Sequence, residues 1–103
     1  MSRGRPTIVV AHEHAGVLEL IDAALRDLGA RVLLTLDPYE ALEIIRRLKV
    51  DLLVITRAQN DAARDLRRLQ PDLSALVLDG KPMWVDEIAD AVVAALAPRQ
   101  QQA

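Results

Sequence analysis

At 103 residues the chain has the length of one compact domain, and with 51% hydrophobic residues it can fill a core without staples. The absence of cysteine excludes disulfides, thiol catalysis and cysteine-ligated zinc, and suits a cytoplasmic protein. A formal net charge of −2 supplies no field for nucleic acid or anionic lipid, and one Trp with one Tyr cannot make a base-stacking platform.

The start, with Arg3 and Arg5, has no apolar run of the signal-peptide kind before the first strand. No segment approaches the ~20 apolar residues needed to cross a bilayer, so no membrane partner is expected. Ile8 to Ala11 is a short, apolar, β-branched run that reads as a strand buried on both faces. From Val17 the period becomes helical: Val17, Leu18, Ile21, Ala24, Leu25 and Leu28 share one face, and Gly29 is placed to terminate the helix at C′. Arg31 to Leu36 reads as a second buried strand. In "DPYE", Asp37 as N-cap, Pro38 at N1 and Glu40 at N3 predict a capping-box start to a helix carrying Ala41, Leu42, Ile45 and Leu48 inward.

Asp51 to Thr56 is the third strand and the strongest core candidate. A polar loop leads to a helix near Asp61 to Leu69, ended by Pro71. Ala75 to Leu78 makes a fourth strand, "DGKP" a turn, and Trp84 to Leu96 a last helix with Val85, Ile88, Ala89, Val92, Val93 and Leu96 as its apolar stripe. Residues 98–103 have nothing to bury and are expected to fray, leaving an ordered core of about 6–97. The cations Arg46, Arg47 and Lys49, and Arg64, Arg67 and Arg68, alternate with apolar residues and read as solvated helix faces.

Alternating buried strands and amphipathic helices predict an α/β domain with a parallel sheet and helices on both faces. In such sheets chemistry collects beyond the carboxyl ends of the strands. Those ends carry His12, Glu13 and His14, then Thr56 and Arg57, then Asp79, Gly80 and Lys81. His12 and His14, two apart in an extended segment, could share a metal ion. A zinc site, however, favours histidines one helical turn apart, and the third ligand here would have to be Asp79 or Glu13. The expectation is no metal. A cobalamin-type loop, Asp-x-His-x-x-Gly, would match at His14 but meets His12 and Val17 at its other positions, so no cofactor is expected. Thr56 with His12 as base has no oxyanion hole beside it, so no enzyme activity is expected.

In this order the residues resemble the receiver domain of bacterial two-component response regulators, over nearly the whole chain. "TIVVAHEHAGVLELIDAALRDLGARV", "TLDPYEALEIIRRLKVDLLVIT" and the Lys81-Pro82 of "ALVLDGKPM" carry the resemblance. It implies a three-layer, flavodoxin-like sheet of about four strands in order 2-1-3-4, with the first and last helices on one face and the second and third on the other. It also implies a truncation, because the helix and strand that precede the last receiver helix have no counterpart between Asp79-Gly80 and Lys81-Pro82.

A receiver phosphorylates an Asp at the end of strand three, holds Mg²⁺ with an acidic pair after strand one, and reads the phosphate with a hydroxyl and a Lys. By position those places hold Thr56, the pair His12 and Glu13, Asp79, and Lys81. Thr56 cannot form an acyl phosphate, a nitrogen replaces one hard oxygen, and Asp79 would repel a phosphate. The resemblance thus implies a pseudo-receiver that works without phosphorylation, as a cytoplasmic protein-interaction module in bacterial signalling. The rival reading is a metal or small-ligand sensor built on the His12/Glu13/Asp79 corner. The fourth strand is expected as a bare sheet edge. That favours an interaction surface around Met83, Trp84, Val85 and Ile88, or a homodimer through the strand-four edge or the last helix.

Overall fold

The computed structural model describes residues 5–57, 64–65, 68, 70, 73–78 and the backbone of 85–101, with the side chains of 87–96. The elements are β1 (Thr7–Ala11), α1 (Ala15–Arg26), β2 (Arg31–Thr35), α2 (Pro38–Arg47), β3 (Leu52–Thr56), β4 (Ser74–Leu78) and α3 (Val85–Gln101). Arg64, Asp65 and Arg68 are also helical, as expected between β3 and β4; the rest of that segment lies outside the described residues. All strand pairs are parallel, in the order β2-β1-β3-β4.

Burial explains that order. Every residue of β1 and β3 is buried, as strands covered on both faces and flanked on both edges must be. Successive side chains alternate between two cores. Ile8, Val10, Leu52 and Val54 pack with Leu18, Ile21 and Leu25 of α1 and with Ile88, Val92 and Leu96 of α3. Val9, Ala11, Leu53 and Ile55 pack with Ala41 and Ile45 of α2 on the opposite face. The expected pairing of first and last helices on one face, with α2 opposite, is therefore observed.

The second strand departs from expectation. Read as buried, β2 is an edge strand with Leu34 36% exposed, and Leu36 just beyond it is 54% exposed. Its apolar run resembles that of β1, but an edge strand has neighbours on one side only. β4 is the other edge, with Ser74, Ala75 and Leu76 partly covered and Val77 exposed. Only residues 79–84 separate β4 from α3, too few for the dozen or more that a parallel crossover needs. A helix and a further parallel strand therefore cannot both be built between β4 and α3.

Helix ends differ in detail from the sequence reading. α1 has its C-cap at Asp27, and Gly29, at φ +71°, stands two residues past it rather than at C′. The left-handed backbone there still favours glycine. Asp37 caps α2 by accepting from the Tyr39 N–H at 2.9 Å. The reciprocal half of the expected capping box is supplied differently: the Asp37 N–H donates to Thr35 Oγ1 at 3.1 Å, not to Glu40. The last helix, expected to stop at Leu96, continues through Pro98 to Gln101. Pro98 has no N–H for the carbonyl of Ala94, but Ala94 is exposed, so water can serve that carbonyl. Ile88, expected on an interaction surface, is 4% exposed and belongs to the core; Val93, expected inward, is 47% exposed.

Two side chains secure the lower end of the sheet. Asp51, just before β3, accepts from the Thr7 N–H at 2.8 Å and returns its own N–H to the Thr7 carbonyl at 2.8 Å. Gln70 donates Nε2 to the carbonyls of Ile45 and Leu48, at 3.0 and 2.9 Å, and accepts from the Val50 N–H at 3.2 Å. It thereby satisfies two orphan carbonyls at the end of α2 and one buried amide before β3. Because Val50 is fully buried, its N–H has no other outlet. Gln70→Leu is expected to lower unfolding free energy by about 1–3 kcal/mol. Urea unfolding checks this, and an unchanged midpoint would contradict the clamp.

Candidate functional site

β1 and β3 are neighbours, and the chain leaves them in opposite directions across the sheet, so the switch point lies beyond their carboxyl ends. Val10 pairs with Val54, and extending that register sets His12 beside Thr56. Thr35, at the end of β2, completes the row: the His12 N–H donates to its carbonyl at 3.1 Å, continuing the β1–β2 ladder. All three side chains are polar and buried, His12 at 9% exposure, Thr35 at 3% and Thr56 at 4%. Buried polar groups need partners, and each of these has one.

The Thr56 hydroxyl donates to Glu13 Oε2 at 3.4 Å, a long bond. Thr35 Oγ1 accepts from the Asp37 N–H and donates to the Asp37 carbonyl, both at 3.1 Å. His12 Nδ1 accepts from the His14 N–H at 3.0 Å. That bond assigns the neutral His12 ring its Nε2–H tautomer. His14 is the N-cap of α1 but makes no side-chain cap bond; its ring centroid lies 5.5 Å from that of His12, with the planes at 47°.

Burial holds the His12 imidazole below its ordinary value of 6.5; the adjacent Glu13 carboxylate opposes this and His14 adds to it. The Nδ1 lone pair given to a backbone N–H also favours the neutral ring.

Among the sequence-predicted site residues, His12, Glu13 and Thr56 thus come together at one corner. Asp79, Lys81, Met83 and Trp84 lie outside the described residues, as does the side chain of Val85. Among the described residues no group of three His, Asp or Glu side chains could hold a metal ion. Nor is any described helix long and apolar enough to cross a membrane. Thr35 was not singled out in the sequence, where it is one polar residue in a strand; a hydroxyl two residues before an Asp-Pro cap was the signal available. Gln70 had none, because its bonds reach residues twenty or more positions away.

This arrangement invites comparison with known folds. No family model matches the sequence, and no curated protein matches it. Solved structures do. A response regulator receiver domain protein from Clostridium thermocellum superposes with a TM-score of 0.82 at 17% identity, covering 95% of this chain and 99% of that one. The chain has the receiver fold. One of a family of redox sensors in the streptococci, evolved from two-component response regulators, gives a TM-score of 0.83 at 18% identity over 94% of this chain and 53% of that one. A response regulator from Burkholderia pseudomallei with a phosphorylated aspartic acid and a calcium ion gives 0.71 at 18% identity, over 94% and 72%.

In this receiver fold the lowered His12 value has a consequence for stability. The unfolded imidazole titrates near 6.5, so between that value and the lower folded one the unfolded chain binds more protons. The contribution is fully present above pH 6.5 and is lost as pH falls through 6.5 toward the folded value. The urea midpoint is expected to drop between pH 7.5 and 5.5, above the range of ordinary carboxylates, and His12→Asn to flatten the drop. A wild-type profile already flat over this range would contradict the assignment.

Proposed function

We propose that this receiver-fold domain works as a pseudo-receiver, regulating by protein contact and without phosphorylation. The observation that carries the reading is Thr56. It occupies the end of β3, where the resemblance implies the phosphoacceptor, and its hydroxyl is buried and donated to Glu13. A hydroxyl forms a phosphate ester rather than the reactive acyl phosphate of a carboxylate. The solved neighbour that holds a phosphate carries it on aspartic acid. The Glu13 carboxylate beside Thr56 repels an incoming phosphoryl donor, and His12 supplies nitrogen where Mg²⁺ favours oxygen.

Protein contact is supported by the sheet edge. β4 holds no charged residue and no proline, the devices that usually guard an edge, and Val77 is 37% exposed on it. Such an edge is self-complementary, so a second copy can extend the sheet across a two-fold axis.

Two outcomes are expected. Incubation with acetyl phosphate or phosphoramidate and Mg²⁺ leaves the intact mass unchanged; a phosphorylated product would overturn the reading. Light scattering gives twice the 11.4 kDa chain mass, and Val77→Lys restores the monomer. A wild-type monomer at ~100 µM would remove self-association and leave only a different protein as partner.

A further inference from the structure

We propose that His12 is a proton-operated latch: a proton on its Nδ1 breaks the bond to the His14 N–H, opens the His12–Glu13–His14 turn and draws Glu13 away from Thr56. This goes beyond the proposed interaction role and does not depend on it, since every group involved belongs to this chain.

The backbone of His12 is held by the sheet through its N–H on the Thr35 carbonyl, so the ring cannot simply swing out with its strand. Only the ring-to-backbone bond, His14 N–H to His12 Nδ1 at 3.0 Å, closes the turn. When Nδ1 takes a solvent proton, two N–H donors face each other and that bond is lost outright. The buried imidazolium then needs an anion. On its own turn it meets Glu13, and the second ring, His14, which adds repulsion if it too is charged. From the flanking strands, β2 brings Asp37, whose carboxylate already serves the Tyr39 N–H, and β3 brings Arg57; Asp79, after β4, lies outside the described residues.

Glu13 is the nearest anion in sequence, and its present bond to Thr56 is long at 3.4 Å. A charge-assisted bond to the imidazolium is stronger than a long bond to a neutral hydroxyl. The carboxylate therefore moves from Thr56 to His12. Because His14 is the N-cap of α1 and its carbonyl accepts from the Leu18 N–H at 3.2 Å, the first turn of α1 moves with the turn.

Proton–nitrogen NMR of the full chain from pH 7.5 to 5.0 tests the latch. At pH 7.5 the His12 ring is expected as the Nε2–H tautomer. On acidification the His14 amide and the Thr56 resonances are expected to shift with the same midpoint as the His12 ring. His12→Asn, whose Oδ1 can hold the His14 N–H but takes no proton, is expected to abolish those shifts, and His14→Ala to leave them in place. An Nδ1–H tautomer at pH 7.5, a His12 titration without coincident His14 and Thr56 shifts, or the same transition in folded His12→Asn would each overturn the proposal. Tautomer and midpoints are read on the wild-type chain, so they decide the matter even if His12→Asn does not fold.

Discussion

Burial of β1 and β3 on both faces is the constraint from which the rest of the molecule follows. A strand enclosed in this way tolerates no charge, since an unpaired ionised group in the interior is too costly to keep. Val9, Val10, Leu52, Leu53, Val54 and Ile55 are all essentially inaccessible. Polar chemistry is therefore pushed to the strand ends, at the last residue of β2 and β3 and the first beyond β1. Because the strands are parallel, these residues arrive at one end of the sheet together. His12, Thr35 and Thr56 come from three different strands and share that end.

The corner they form is closed on itself. Each buried polar side chain is satisfied within two residues or by the neighbouring strand: His12 by the His14 amide, Thr35 by Asp37, Thr56 by Glu13. A pocket for a divalent ion needs several oxygens turned inward and left unpaired until the ion arrives. Here one carboxylate is engaged by a hydroxyl and one ring nitrogen by a backbone amide. The bonds that stabilise the corner are the same ones that engage its carboxylate and its ring nitrogen within the chain. The weakest of them is the long Thr56–Glu13 bond, which makes Glu13 the group most readily redirected.

Away from the corner, the short chain places unusual weight on its edges. Among the described residues β2 and β4 each have one open side, and only residues 79–84 lie between β4 and α3, too few for a helical crossover and a further parallel strand. At the opposite end of the sheet, Gln70 ties α2 to the residues leading into β3 with one side chain. A single amide has two donors and one acceptor in use there. The sheet is thus fastened below by Gln70 and Asp51.

The alternation of apolar strands and amphipathic helices was enough to define the α/β class, with helices on both faces, and the strand ends that carry the site; the layering of α1 and α3 against α2 was implied by the resemblance to receivers. The class and the strand ends depend on periodicities of two and 3.6 residues, which are properties of the local chain. Local pattern could not distinguish β1 from β2, since "TIVVA" and "RVLLT" read alike; only the sheet order makes one central and the other an edge. It could not anticipate that Asp37 would lean on Thr35, that Val93 would face solvent, or that Gln70 would span the gap to Ile45. Nor could the spacing of His12 and His14 reveal that the first ring is bonded to the second residue's backbone rather than aimed at a shared ion. The sequence by itself determined the alternation of apolar strands with amphipathic helices and where the polar residues must begin. Which partner each polar group takes was decided only by the folded sheet, because hydrogen-bond geometry depends on contacts between residues far apart in the chain.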